Sequence, residues 1–187
     1  RPYAPQDFDR AVAYWNTFRS GEDAVYDDRV VMDGSAIEPM VTWGVTPGQS
    51  VGVLASLPVI EVLNPDDRDL AGLAFKHMKF QQGQAILGQK IDVGFVGSCT
   101  NSRISDLREA ATVLQGQQVH ESVKLLVVPG SQQVKQQAES EGLDLVFQAA
   151  GAEWREPGCS MCLAMIPDRL HGDQVCASSS NRNFIGR

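Results

Sequence analysis

The stretch IDVGFVGSCTNSRISDLREAATVLQGQQVHESVKLLVVPGSQQVKQQAESEG, residues 91–142, alternates between two kinds of apolar pattern. IDVGFVGS (91–98) predicts a buried strand, ISDLREAATVLQG (104–116) a helix, SVKLLVVPG (122–130) a strand and SQQVKQQAESEG (131–142) a helix. Strands separated by helices of this length imply parallel pairing with right-handed crossovers, so the expected class is α/β with a mainly parallel sheet. In open sheets of that kind, function sits beyond the carboxyl ends of the strands. Cys99 falls just past the first strand. Pro129-Gly130-Ser131 falls just past the second, where a helix N-terminus presents free backbone N–H groups. A tight turn uses the same small residues, so their position alone does not make a site.

On the N-terminal side, DFDRAVAYWNTFRS (7–20) places Phe8, Val12, Trp15 and Phe18 at helical spacing behind Asp7, a candidate N-cap, with Gly21 as a stop. AVYDDRVVMD (24–33) is a strand candidate. PMVTWGVTPGQSVGVLASLP (39–58) has the Gly/Pro punctuation of loops and short extended segments. A helix is expected from about Asp66 or Asp67, with Leu70, Leu73, Ala74, His77 and Met78 on one face, broken by QQGQAILGQK (81–90).

The 187 residues, 43% hydrophobic and 21% charged, suit one globular domain or a large piece of a bigger protein. A net charge of −7 without a Lys/Arg-rich run gives no footprint for nucleic acid or an anionic membrane surface. A small acidic substrate would need local positive charge. No apolar run approaches the roughly 18 to 20 residues that span a bilayer, and RPYAPQDFDR (1–10) lacks a signal-peptide pattern; the chain reads as cytoplasmic. Because it opens on Arg and stops within NRNFIGR, an excised piece is expected.

EPGCSMCLAM (156–165) follows the helix-like LDLVFQAA (143–150) and sets Cys159 and Cys162 three positions apart after a Pro-Gly turn. Four cysteines are too few for a disulfide scaffold. A thioredoxin-type dithiol, a closed zinc site using Cys99, Cys159, Cys162 and Cys176, and an iron–sulfur site on three thiolates all remain open on spacing, as does a structural role for buried cysteines. CASSSNRNFIGR (176–187) adds Arg182 and Arg187 in a Ser/Asn/Gly-rich loop. Loop arginines are ordinarily solvated, but beside three cysteines and the Asn181 amide they suggest a small polycarboxylate held over a metal centre.

GSCTNSR (97–103), PGCSMCLAM (157–165) and SNRNFIGR (180–187), with FDRAVAYW, VTWGVTPGQ and VVPGSQQVKQQAESEGLD elsewhere, together resemble the aconitase superfamily, and within it the isopropylmalate dehydratase (isopropylmalate isomerase) large-subunit family. The likeness runs along essentially the entire chain. PGCSMCLAM differs from the Gly-Pro-Cys-Ile-Gly pattern of aconitases proper, and homoaconitase-type proteins are the nearest rival.

The resemblance implies an aconitase-type iron–sulfur domain of three-layer α/β/α form. Residues 1 to about 60 would trail from a preceding lobe, and about 61–187 would form the cluster-binding lobe. It implies one 4Fe–4S cluster per complete large subunit on Cys99, Cys159 and Cys162, substrate carboxylates gripped by Arg182 and Arg187, and Asn181 in the cluster environment. It further implies a hydro-lyase of leucine biosynthesis acting on a small dicarboxylate with a separate small subunit that supplies the catalytic base. This piece alone would then be inactive. Cys176 matches no ligand position, His77, His120 and His171 fall outside the motifs, and Ile185 replaces the usual Glu of NFEGR. A zinc-binding structural domain is the alternative from another class.

Overall fold

The computed structural model describes residues 7–165, 167–180, 183 and 185, and the chain divides into two compact units, Arg1–Ile37 and Glu38–Arg187. In the first, α1 (Phe8–Asn16) begins where expected. The Asp7 carboxylate accepts from the Arg10 amide at 3.2 Å, satisfying one of the free donors of the first turn. Phe8 and Trp15 meet edge to face on one side of the helix, with ring centroids 6.0 Å apart.

Residues 24–33, expected as a strand, are irregular and exposed. Apolar Val25, Val30 and Val31 flank Asp27-Asp28-Arg29 without the alternation that would give one buried face. Among the described residues no strand pairs with them. Unpaired backbone needs water, so the segment stays on the surface. It ends at Asp33, whose carboxylate accepts from the hydroxyl and amide of Ser35. Those bonds hold its pKa below the ordinary value.

The second unit opens with a small antiparallel ribbon, β1 (Met40–Thr42) and β2 (Ser50–Gly52), with Met40 opposite Gly52. Next come a 3-10 turn at Pro65–Asp67 and α2 (Arg68–Met78), which ends at Lys79 in the left-handed conformation. The helix lies where expected but is rotated. It buries Ala71, Ala74 and Phe75, while Leu70 and Leu73 are more than half exposed. Phe75 stacks on Trp43 at 4.6 Å, and that pairing selects the buried face.

The remaining elements are β3 (Val93–Gly97), α3 (Ile104–Leu114), β4 (Lys124–Val128), α4 (Gln132–Ser140), α5 (Leu143–Ala149), β5 (Glu153–Trp154) and β6 (Cys176–Ser178). They form a four-stranded parallel sheet in the order β5-β4-β3-β6, as the alternation within residues 91–142 predicts.

Side chains alternate across each strand, and the two faces of the sheet are covered differently. Val127 packs with Ile104, Leu107, Ala111, Ala138 and Phe147 from α3, α4 and α5. On the other face Val93, Phe95, Leu126 and Val128 pack against Met161 and Cys162, which lie in a 3-10 turn at Ser160–Leu163. The segment with paired cysteines is therefore part of a core layer. Among the described residues no helix is long and apolar enough to cross a membrane.

Candidate functional site

The chain leaves β3 through Ser98, a non-glycine residue in the left-handed region at φ 72°, and this turn presents Cys99 to solvent. Left-handed backbone at a residue with a Cβ is unfavourable and is kept only where neighbouring contacts hold it. Here the contacts are dense. Ser98 and Ser102 are fully buried, and the Gly130 amide donates to the Ser102 carbonyl at 3.0 Å. A Cβ on Gly130 would stand 2.7 Å from that same oxygen, so the turn after β4 closes against the turn after β3 only because residue 130 has no side chain. The next residue, Ser131, caps α4 by accepting from the Val134 amide at 3.1 Å.

β6 delivers a third segment to the same edge. The Ser179 amide donates to the Phe95 carbonyl at 2.9 Å, its hydroxyl accepts from the Gly97 amide at 3.0 Å, and its carbonyl accepts from the Asn101 side-chain amide. The Ser180 hydroxyl then contacts the Cys162 sulfur at 3.4 Å, and the Cys162 amide donates to the Cys159 carbonyl at 2.9 Å. The Ser179-Ser180 pair thus ties the Cys99 turn to the Cys159–Cys162 turn. Thr100, Asn101, Arg103, Asp106 and Ser179 line an open concavity of about 370 Å³ at this edge.

The four thiols differ sharply. Cys99 and Cys159 are exposed, Cys162 is buried, Cys176 is half-buried, and none is in a disulfide. The structure joins the segments that carry Cys99, Cys159 and Cys162. Among the described residues, however, no group of three His, Cys, Asp or Glu side chains is gathered closely enough to hold a metal ion.

Cys176 lies in β6 opposite Val93, at the start of β3, with its sulfur 3.4 Å from that of Met161. Cys99 follows the far end of β3. Four steps of extended chain, roughly 13 Å, separate those two levels of the sheet, whereas thiolates sharing one zinc ion each lie about 2.3 Å from it. A closed four-cysteine zinc site is set aside on that ground, and Cys176 is the packed strand residue expected of it.

Asn181, Arg182 and Arg187, the expected cluster-environment and substrate-binding residues, lie outside the described residues. Between the two arginines in sequence, the Asn183 side-chain amide donates to the Gly44 carbonyl at 2.6 Å, in the VTWG turn after β1. Ile185 is exposed. His77, His120 and His171 are exposed as well, and the His120 ring bonds to Ser122.

Sequence reasoning missed Ser179, Ser180 and Asn101, whose signal was only a polar Ser/Asn run. It also missed Asp168, which carried no motif of its own. The Asp168 carboxylate accepts from the Ser160 hydroxyl and from the Arg155 guanidinium, each at 2.8 Å.

Comparison with known proteins places these features in one group. The family whose sequence model matches residues 1–187 is described as the Aconitase family (aconitate hydratase). The chain is 60% identical over its whole length to the 3-isopropylmalate dehydratase large subunit of Synechocystis sp.. It is 59% identical to that of Nostoc punctiforme and 58% to that of Picosynechococcus sp., again over its whole length. It spans 40% of the length of each of these curated relatives.

Proposed function

Because the chain belongs to the aconitase family, we propose that it is the cluster-bearing part of a cytoplasmic iron–sulfur hydro-lyase of the 3-isopropylmalate dehydratase type. Such an enzyme interconverts 2-isopropylmalate and 3-isopropylmalate by dehydration and rehydration in leucine biosynthesis. The large-subunit relatives favour this substrate over that of a homoaconitase-type enzyme. The observation that carries the reading is the junction at Ser179 and Ser180, which links the two turns that carry Cys99, Cys159 and Cys162 at the carboxyl edge of a parallel sheet.

The donor set suits a 4Fe–4S cluster held by Cys99, Cys159 and Cys162 in the lobe formed by about residues 61–187. The three thiols are soft ligands free of disulfides. The buried hydroxyls of Ser98 and Ser102, on either side of Cys99, have no hydrogen-bond partner among the described residues. Donors of this kind tune cluster sulfurs. When bound through three thiolates, such a cluster leaves one iron open as a Lewis acid for hydroxyl and carboxylate oxygens.

The chain's own residues supply binding. Arg182 and Arg187 hold the substrate carboxylates with their planar donor pairs, offsetting locally the net charge of −7. Asn181 supplies a hydrogen bond in the cluster environment. None of the assigned residues is a base for the carbon-bound proton, and on the family likeness this reading gives that role to the small-subunit partner.

Replacing Cys159 or Cys162 with Ser in the full-length large subunit, purified anaerobically, is expected to prevent stable cluster assembly, while Cys176→Ser keeps it. Iron, acid-labile sulfide and visible absorbance are the readouts. Loss of the cluster in Cys176→Ser with retention in Cys99→Ser would overturn the ligand assignment.

A further inference from the structure

The turn that carries Cys159 and Cys162 is built on two residues of unfavourable backbone conformation. Ser160 has φ 43° and Ala164 φ 53°, both left-handed and both with a Cβ. Neither is glycine, so their conformations persist only if the surroundings over-determine them. Backbone bonds close part of the turn. The Met165 amide donates to the Ser160 carbonyl at 3.0 Å and the Ala164 amide to that of Met161 at 3.2 Å.

Packing of Met161 and Cys162 on the sheet holds the turn as well, and a further restraint is ionic. Asp168, its side chain 10% exposed, spends one carboxylate oxygen on the Ser160 hydroxyl and the other on the Arg155 guanidinium. Arg155 is fixed in turn by Glu153 at 2.8 Å and by its own amide, which donates to Val127 of β4 at 3.0 Å. A chain of contacts therefore runs from the central sheet through Arg155 and Asp168 to Ser160, which directly follows Cys159. Charge-assisted bonds of this sort, mostly screened from water, are among the stronger hydrogen bonds available.

We infer that Arg155, Asp168 and Ser160 form a positioning brace that holds the Cys159–Cys162 turn in its strained conformation before any cluster is bound. None of the three is a catalytic residue or a ligand. Their role is preorganisation, which lowers the ordering cost of capturing a metal group at a flexible loop. The inference rests on the proposed cluster reading for its purpose, but the brace itself is a property of the apo-protein.

The test uses the full-length large subunit carrying Asp168→Ala, Asp168→Asn or Ser160→Ala, with hydrogen exchange of the apo-protein read for the peptide containing residues 159–165. Loss of the brace is expected to speed exchange in that peptide on the order of tenfold, the scale of one charge-assisted bond. The strands β3 and β4 are expected to exchange unchanged. After reconstitution, iron release to a chelator should quicken by a similar factor at equal melting temperature. Asp168→Asn, which keeps the shape and one acceptor, should fall between wild type and Asp168→Ala.

Unchanged exchange in both Asp168→Ala and Ser160→Ala, or acceleration spread evenly over the sheet, overturns the brace. If Asp168→Ala does not fold, Ser160→Ala decides, since it removes one part-buried hydroxyl and no charge. If Cys159→Ser retains its iron, the cluster reading fails, while the exchange result still decides the brace.

Discussion

Gly130 illustrates how a single missing side chain builds the carboxyl edge of the sheet. Its Cβ position lies against a backbone oxygen of the preceding turn, which cannot rotate away as a flexible side chain would. Gly130→Ala is expected to destabilise the protein by about 1 to 3 kcal/mol, the usual cost of forced overpacking. Gly158, one residue before Cys159, has nothing within 4 Å of its Cβ position. Its alanine variant should stay within about 0.5 kcal/mol of wild type. Urea unfolding of the two variants beside wild type checks both, and a neutral Gly130→Ala would mean that the two turns separate freely. Chemistry at this scale was partly legible in the sequence, because thiols and guanidiniums are conspicuous by type. Ser179, Ser180 and Asp168 were not, because their importance comes from partners as distant along the chain as Gly97 and Asn101, which no local pattern records.

Secondary-structure elements were legible where the period of the apolar residues matched how they are buried. β3 and β4 are apolar on both faces, and α3 and α4 carry a stripe that meets one of those faces, so residues 91–142 read correctly in order and type. The reading of 24–33 failed because β-branched residues describe a preference for a pleated, half-buried surface, and no strand among the described residues provides one. α2 was found, and Ala74 of its expected face is buried, but Leu70 and Leu73 are not, because they outweigh Ala71 in any hydrophobic count while the Trp43–Phe75 stack governs the packing.

The tie between α4 and the cysteine-bearing segment gives a prediction of its own. Lys135 of α4 pairs with Glu156, three residues before Cys159, and with Glu139 at 3.5 Å. The Glu156 carboxyl is held below its ordinary value of 4.5 chiefly by the Lys135 bond, and Lys135 is raised above 10.5 chiefly by the same bond. A carboxyl lowered on folding contributes stability that is present above its unfolded pKa and lost as pH falls through the folded one. A raised amine contributes below its unfolded pKa and loses that contribution as pH rises through its folded one. The melting-temperature difference between wild type and Glu156→Gln should therefore be flat from about pH 5 to pH 10 and shrink outside that window on both sides. A difference that does not change with pH would show that the pair has no electrostatic role.

At the scale of the molecule, the residues assigned to binding and those needed for chemistry separate. In the proposed reading, three thiols, two arginines and an asparagine hold a cluster and a dicarboxylate. Moving a hydroxyl between adjacent carbons also requires a base positioned at the carbon-bound proton. The histidines are exposed and outside the cysteine junction, and no His, Cys, Asp or Glu group among the described residues forms a metal-binding set with them. Exposed Cys99 and Cys159 also leave an assembled cluster open to solvent unless other protein covers that edge. The 187-residue chain, reconstituted anaerobically with iron and sulfide, is accordingly expected to show no measurable isomerisation of isopropylmalate and to lose its iron faster than the full-length large subunit. Turnover assays with and without added small subunit, scored against iron content, separate the two deficits. If the small subunit alone restored turnover, every group needed from the large subunit would lie within these residues. Turnover by the chain alone, free of contaminating enzyme, would place the base here too, and the division between binding on this chain and proton transfer on its partner would have to be given up.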